Sequence, residues 1–254
     1  GRNSGREPAH VEDLFDGGRH GRAKIGFVLL ATEQTIEDDL FRLRPEGVGI
    51  HFTRAANPDS ITVSALSAQV DDLARAAGTL LPDGSLDVIC YACTSSSIVM
   101  GEERVMEELR RGCPQAKATT LVTGAVRALR SLGVKRVAIA TPYLDEVNEL
   151  EARFFEAAGF EVPVIRGLNL EKDSDMVRVR PEAIMEFALS VDHPAADGLF
   201  ISCGALRSVE VVDELERRLG KPVVVSNQAM AWDTLRLAGI EDRFEGYGSL
   251  LRSI

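Results

Sequence analysis

The sequence has no long hydrophobic run, and no window approaches the roughly 18 consecutive apolar residues that a membrane-spanning helix needs. Basic residues are outnumbered, with 29 Lys and Arg against 39 Asp and Glu and a net charge of −10. Nucleic acid therefore has no electrostatic reason to bind. The first residues are charged and rich in glycine, and they lack the apolar segment of a signal peptide. We expect a protein that binds neither membranes nor nucleic acids.

Cysteine and histidine are scarce, with four of each. Four cysteines in 254 residues do not form a disulfide framework, which favours a reducing cytoplasm as the location. The histidines, at positions 10, 20, 51 and 193, lack the spacing of metal ligands, so no metal site is predicted. Neither the phosphate loop G-x-x-x-x-G-K nor the dinucleotide fingerprint G-x-G-x-x-G occurs, so no cofactor is expected.

The sequence does contain a regular alternation of short apolar runs and helical patterns. The apolar runs predict seven buried strands: Ile25–Ala31, Val48–Thr53, Asp87–Ala92, Arg136–Thr141, Glu161–Gly167, Gly198–Ser202 and Val223–Ser226. Between them, Thr62–Leu81 and Ser208–Gly220 have apolar residues at steps of three and four, which predicts one helix in each segment. Alternating strands and helices predict an α/β fold whose parallel sheets are covered on both faces.

The chain also repeats itself. Three pairs of corresponding positions are separated by nearly the same distance: Thr32 and Thr141 by 109 residues, Cys93 and Cys203 by 110, and Leu129 and Leu235 by 106. This spacing predicts two similar doubly wound halves, residues 23–125 with a C-terminal crossover over 231–254, and residues 126–230. An N-terminal arm over 1–22 precedes them. The helix that closes each half is expected to pack on the other half.

Two cysteines, Cys93 and Cys203, directly follow predicted strands, at the sheet edge where open α/β folds bind ligands. The N-terminus of a following helix stabilises a thiolate, so we expect the pKa of both thiols to be lowered. Thr94 and Ser95 add hydroxyl donors, and Gly204 would let the backbone approach a ligand closely. We interpret the two thiols as one catalytic pair in a cleft between the halves.

Other cysteine chemistries fit the sequence less well. A lone cysteine is more often buried filler, which is our interpretation of Cys90 and Cys113. A phosphatase loop would need arginine six residues after the cysteine, where Val99 and Val209 stand instead. The C-x-x-C spacing of positions 90 and 93 falls inside a strand run rather than at the start of a helix, unlike redox motifs.

Four motifs, ACTSSS, ATPYLDEVN, SCGALRS and SNQAMAW, resemble the aspartate/glutamate racemase superfamily. The resemblance extends from about Lys24 to Ile240 and is strongest to the branch of maleate cis–trans isomerase, arylmalonate decarboxylase and the ectoine-utilisation protein. It implies two halves related by a pseudo-twofold axis, an active site between them, no cofactor, and often a homodimer. Racemases and the isomerase use two cysteines, whereas the decarboxylase keeps only the second. Both are present here, which favours an isomerase or racemase.

The resemblance also implies roles for individual residues. Cys93 matches the nucleophile that adds to an alkene carbon, and Cys203 matches its partner acid or base. Thr94, Ser95 and the backbone at Gly204 match donors that bind a substrate carboxylate.

Four further positions are considered from the same resemblance. Tyr143 matches a tyrosine that donates to a substrate carboxylate. The loop after the first strand reads ATEQT, where the isomerase has an asparagine; Gln34 could replace that amide. An ionised Glu33 facing the site would instead repel a dicarboxylate and pair with a cationic amine. Asn169 is the nearest candidate for a second family asparagine.

These observations predict a cofactor-independent isomerase of a small carboxylate, similar to maleate cis–trans isomerase, with a two-cysteine site. Three alternatives stay open: an amino-acid racemase, a decarboxylase of a malonate-type acid in ectoine utilisation, and a non-catalytic homologue that binds a metabolite.

Overall fold

The structure, a computed structural model, describes residues 10–67 and 69–253. Along them, eight strands alternate with twelve α-helices. The first nine elements are β1 (Ala23–Leu30), α1 (Ile36–Arg42), β2 (Val48–Ala55), α2 (Val63–Ser67), α3 (Leu73–Ala77), β3 (Val88–Tyr91), α4 (Thr94–Met100), α5 (Glu102–Gly112) and β4 (Lys117–Thr120). The next eleven are α6 (Leu121–Ser131), β5 (Arg136–Thr141), α7 (Asp145–Ala157), β6 (Glu161–Gly167), α8 (Asp173–Met176), α9 (Pro181–Val191), β7 (Gly198–Ile201), α10 (Val212–Leu219), β8 (Val223–Val225), α11 (Ser226–Leu237) and α12 (Ser249–Arg252).

The strands form two four-stranded sheets with one topology. The first has the order β2-β1-β3-β4 and the second the order β6-β5-β7-β8. Every pair of neighbouring strands is parallel. The predicted α/β fold with two similar doubly wound halves is thereby confirmed. In both sheets the two inner strands carry the buried apolar runs, because helices cover them on both faces.

The helices α6 and α11 tie the halves together. Although α6 follows β4, its Val122 and Leu129 belong to the apolar cluster of the second sheet, with Val137 of β5. Conversely, Met230 and Leu235 of α11 pack in the cluster of β1 and β3. The two helices also contact each other. Each sheet is therefore completed by a helix that follows the other sheet, which holds the carboxyl ends of the strands in a fixed relation.

Two sequence predictions need correction. Strand β4 was missed, because its sequence KATT carries an exposed lysine and two threonines rather than an apolar run. The single helix predicted over Thr62–Leu81 is instead α2, a 3₁₀ turn over Gln69–Asp72 and α3. The chain bends there because Asp72 turns its carboxylate towards the loop after β2, where Oδ2 accepts the Ala56 N–H at 2.8 Å.

The arm expected over residues 1–22 is described only in part, and residues 1–9 lie outside the described residues. A 3₁₀ turn over Val11–Leu14 precedes β1, and Val11, Leu14 and Phe15 are exposed.

Candidate active site

A small cavity lies between the carboxyl ends of the two sheets, and the space between its walls, including the part open to solvent, is about 300 Å³. Seven of the residues predicted from the sequence line it: Glu33, Cys93, Thr94, Ser95, Tyr143, Cys203 and Gly204. Five residues that were not predicted also line it: Leu30, Ile61, Ala92, Asp173 and Ala205. The fold therefore brings both thiols to one small space, each from its own half.

The two cysteines follow corresponding strands but have different backbone surroundings. Cys93 directly precedes α4 in an extended conformation, with φ −143° and ψ 118°. Cys203 has φ 102°, a conformation that L residues rarely adopt, and α10 begins only at Val212. The prediction of a strand-to-helix junction is thus correct for Cys93 and wrong for Cys203, because a turn occupies the residues between β7 and α10.

Hydroxyl groups surround the sulfur of Cys93. Its Sγ lies 3.2 Å from Ser96 Oγ and 3.6 Å from Ser95 Oγ. Burial raises the pKa of the Cys93 thiol, and its hydrogen bonds with the side chains of Ser96 and Ser95 and with the backbone of Ser96 oppose that rise. A thiolate at Cys93 thus has several donors to stabilise it.

Acidic groups and one tyrosine surround the sulfur of Cys203. Burial raises the pKa of this thiol well above its usual value, and the negative charges of Asp173 and Glu33 raise it further. The Tyr143 hydroxyl and the Ala205 N–H donate to the sulfur and oppose these effects. The expected lowering of both thiol pKa values is therefore wrong: burial outweighs the donors at both sulfurs, and Cys203 holds its proton more tightly than Cys93.

Tyr143 lines the cavity together with the two cysteines and interacts with both. It is only 2% exposed, and burial raises the pKa of its hydroxyl well above the usual value, with further contributions from both cysteines. Its backbone is fixed by the Thr141 side chain, whose Oγ1 accepts the Tyr143 N–H at 3.0 Å. The phenol therefore remains a neutral hydrogen-bond donor aimed at Cys203.

Two carboxyl groups line the same cavity. Glu33 Oε1 accepts the N–H groups of Thr35 at 3.1 Å and Ile36 at 3.2 Å, so this side chain caps the N-terminus of α1. Burial, and then Asp173, raise the pKa of Glu33 to about 7. Asp173 Oδ2 accepts the Thr32 hydroxyl at 2.7 Å, and burial raises the pKa of Asp173 as well. The lining contains no lysine, arginine or histidine.

Two predicted residues lie outside the cavity. Gln34 is exposed and lines a surface depression, whereas the neighbouring Glu33 is buried in the cavity. Asn169 is also exposed, and its φ of 61° identifies it as a left-handed turn residue after β6, a conformation that asparagine tolerates. The structure therefore does not bring Gln34 and Asn169 into the cavity that holds the two thiols.

Gly204 lines the cavity, and its packing gives a further reason for a glycine there. A Cβ at this position would lie 2.6 Å from Ile36 Cδ1 and 3.1 Å from Asn227 Oδ1. Packing against these two side chains excludes a larger residue.

The start of α11 supports the Cys203 turn, a role that its motif SNQAMAW did not reveal. Ser226 Oγ accepts the Cys203 N–H at 3.0 Å and lies 3.4 Å from Thr94 Oγ1. Asn227 Nδ2 donates to the Gly204 carbonyl at 2.9 Å and to Asp39 Oδ2 at 2.9 Å. These contacts hold the positive φ at Cys203 in place and connect the turn to the first half.

Asp173 is the main site residue that the sequence analysis missed. It is the first residue of α8, where the segment after β6 meets the corresponding segment after β2. The Ile61 N–H donates to the Glu171 carbonyl at 2.7 Å, and the Ser174 N–H to Asp59 Oδ1 at 2.9 Å. The repeat contained a signal for it, because both segments carry an Asp-Ser pair at positions 59 and 173. The two segments together close one side of the cavity.

Within residues 10–67 and 69–253, no three His, Cys, Asp or Glu side chains lie close enough to share a metal ion. Over the same residues, no helix combines the length and the apolar character needed to cross a bilayer.

Comparison with known proteins gives concordant matches. The arylmalonate decarboxylase family model matches residues 49–251. Arylmalonate decarboxylase from Bordetella bronchiseptica is 33% identical over 89% of this chain and 95% of its own length. Maleate isomerase from Nocardia farcinica (strain IFM 10152) is 30% identical over 91% of this chain and 96% of its own. A Nocardia farcinica maleate cis–trans isomerase, solved as a cysteine-to-serine mutant with a covalently bound succinylcysteine intermediate, superposes with a TM-score of 0.82 at 28% identity, covering 91% of this chain and 98% of that one.

Proposed function

The chain belongs to the arylmalonate decarboxylase family, and on that premise we propose that it is a cofactor-independent isomerase of a small carboxylate that uses Cys93 and Cys203. One observation carries the proposal: two thiols from corresponding strands of the two halves line one small cavity. A decarboxylation that relies on Cys203 as proton donor would leave Cys93 and its hydroxyl neighbours without a role.

In the proposed reaction Cys93 is the nucleophile. Its thiolate donates an electron pair to one alkene carbon, an S–C bond forms, and the π electrons move to the adjacent carbon and its carboxylate. That carbon takes a proton from the Cys203 thiol. The former double bond is now single and rotates; the proton then returns to Cys203, the S–C bond breaks and the trans alkene leaves. The relative pKa values suit this division, since Cys203 holds its proton more tightly.

The surrounding donors stabilise the charge that develops. Thr94 and Ser95 line the cavity with hydroxyl groups beside Cys93, where they can bind the substrate carboxylate as it acquires enolate character. Tyr143 donates to Cys203 and so stabilises the thiolate that Cys203 becomes after it gives up its proton.

A racemase is the second candidate, and the acidic lining favours it. Glu33 and Asp173 suit a substrate with a protonated amine, as an amino acid has. One thiolate would remove the α-proton and the opposite thiol would protonate the other face of the resulting carbanion. After each turnover the cysteine that removed the proton is a thiol and the cysteine that donated one is a thiolate, so the number of protons and the charge are unchanged.

The test compares Cys93→Ala, Cys203→Ala and the control Cys90→Ala, a fully buried thiol of β3 outside the cavity. Maleate and amino acids are offered, and their stereochemistry is followed by NMR. We expect both site variants to lose turnover by about 1,000-fold or more, and the control to keep it.

Three results would point elsewhere. Unchanged turnover in both site variants would end the proposal. Release of CO₂ from a malonate-type acid that survives loss of Cys93 would identify a decarboxylase. Ligand binding without turnover in the unmodified protein would identify a metabolite-binding homologue.

The proposal also includes three features that the sequence predicts: a cytoplasmic location, a homodimer, and a division of the chain into residues 23–125 with 231–254 and residues 126–230. Size-exclusion chromatography with light scattering tests the second, and limited proteolysis tests the third.

A further inference from the structure

We propose that the substrate carries a protonated nitrogen as well as a carboxylate, and that Glu33 and Asp173 together bind this cation beside the two sulfurs. The inference rests on the proposed function, because it places the cation in the same cavity. It assigns to the site a zwitterionic substrate, such as an amino acid or an amino-substituted alkenoate, in place of a dicarboxylate.

The composition of the cavity wall is the first argument. Glu33 and Asp173 are 6% and 3% exposed, and the wall has no cationic side chain to neutralise them. Arg54 comes near, but its guanidinium donates to the Glu33 backbone carbonyl and pairs with the Glu37 carboxylate. Buried carboxyl groups without a cationic partner are costly. A ligand cation supplies that partner, whereas a second ligand carboxylate would meet two groups of its own sign.

The hydrogen bonds of the two carboxyl groups are the second argument. Among the described residues, the bonds that hold Glu33 go to Oε1, and the Thr32 hydroxyl binds Asp173 through Oδ2. Both side chains are thus fixed in orientation by the loops that close the cavity. Their other oxygens, Glu33 Oε2 and Asp173 Oδ1, remain for a ligand with N–H donors.

The position of the pair beside the thiols gives the cation a second effect. Asp173 raises the pKa of both Cys93 and Cys203, and Glu33 also raises that of Cys203. A bound ammonium group would neutralise these charges, so that the thiolate becomes easier to form when the correct substrate is present. The same pair would therefore select the substrate and favour the reactive form of the site.

Three probes that differ at one substituent separate the possibilities. All three share a cis alkene with one carboxylate. At the other alkene carbon, (Z)-4-aminobut-2-enoate carries an ammonium-bearing group, maleate a second carboxylate, and (Z)-but-2-enoate a methyl group. Isothermal titration calorimetry with the full chain at pH 7.5 should show the amino compound binding at least about tenfold more tightly than maleate and than the methyl compound.

The carboxyl groups themselves are tested by Glu33→Gln and Asp173→Asn, which keep an acceptor oxygen for the Thr35, Ile36 and Thr32 donors. Each should weaken binding of the amino compound about tenfold or more and strengthen binding of maleate. Glu108→Gln is the matched control, because Glu108 is also 6% exposed but lies on α5 and pairs with surface arginines. It should leave all three affinities unchanged.

A pH series with the unmodified protein gives a readout that does not depend on a variant. Asp173, Asp39 and Cys203 interact electrostatically with Glu33, whose pKa is about 7. Affinity for the amino compound should rise as the pH passes from 6 to 8 and Glu33 ionises, and affinity for maleate should fall.

Equal or tighter binding of maleate at pH 7.5, no measurable binding of the amino compound, or an unchanged preference in both variants would overturn the inference. These outcomes are distinct from failure of the proposed function. If the protein isomerises maleate and needs the cysteines to do so, the two-thiol function stands and the proposed cation site fails. If it binds the amino compound but the cysteines have no effect on turnover, the cation site stands and the two-thiol function fails.

Discussion

The two halves share one strand order, yet they surround their cysteines with opposite chemistry. In the first half, Cys93 begins a helix among serine hydroxyls. In the second, Cys203 lies in a turn with positive φ, close to two carboxyl groups and the Tyr143 hydroxyl. The duplicated fold thus places two identical groups, and the loops then give them different surroundings, so that the pKa of Cys203 is raised further than that of Cys93.

The largest expected difference between the two cysteines is which sulfur forms a covalent bond with the substrate. In Cys203→Ser the nucleophile remains but the proton donor is weakened, so we expect turnover to fall about 1,000-fold or more while an adduct accumulates on Cys93. In Cys93→Ser no adduct should form. Intact-protein mass spectrometry after incubation with substrate measures both. Adducts on Cys203 alone would reverse the assigned roles.

The second half contains a buried carboxyl group, Glu151, next to the residue that precedes Cys203, and this group should make the stability of the protein depend on pH. Glu151 is fully buried, accepts the Ser202 hydroxyl at 2.7 Å, and has its pKa raised to about 7 by burial. Because this folded pKa exceeds the unfolded value, its contribution to stability is present below pH about 4.5 and is lost as pH rises to about 7. The wild-type unfolding free energy should therefore fall about 3 kcal/mol more than that of Glu151→Gln between those pH values.

Urea unfolding at pH 5 and pH 8 provides the measurement. Glu149→Gln is the control, because Glu149 is an exposed residue of the same helix, and it should keep the wild-type dependence on pH. An identical pH dependence in Glu151→Gln would show that the buried carboxyl is not held in its neutral form.

Tyr143 interacts with the cysteines of both halves, so its substitution tests how far Cys203 depends on this hydroxyl. Tyr143→Phe removes the donor to Cys203 and raises the pKa of that thiol further, so kcat should fall about 10- to 100-fold and its pH profile should shift upwards. Tyr247→Phe, at a tyrosine outside the cavity, is the control. A loss of kcat without any shift of the pH profile would assign Tyr143 to packing alone.

The smallest expected effect concerns the hydroxyls around Cys93. At pH 8, a small thiol reagent should modify Cys93 faster than Cys203, because its pKa is raised less. Ser96→Ala removes a hydrogen-bond partner that lowers the pKa of Cys93, so it should slow modification of Cys93 a few-fold without changing the rate at Cys203. Peptide mapping by mass spectrometry reports each rate. Equal rates at both thiols would contradict the difference between the halves.

Much of the site followed from local patterns. Cys93, Cys203 and Tyr143 each stand two positions after the end of an apolar strand, and parallel strands in open α/β sheets end at the edge where ligands bind. Gln34 and Asn169 were misplaced because the direction of a loop side chain depends on contacts that the loop makes: Glu33 turns inwards to begin α1, and Asn169 occupies a left-handed turn. Asp173 was missed because its segment reaches the cavity only by pairing with the segment after β2.

The sequence by itself determined the alternation of strands and helices, the duplication, and the placing of one thiol after a strand in each half, since these depend on apolar periodicity and on spacing along the chain. Only the tertiary structure decided that both thiols have raised pKa values, that their surroundings differ, and that two carboxyl groups share their cavity. Burial and charge–charge interactions depend on distances between segments far apart in sequence, and those distances exist only once the two halves are packed together.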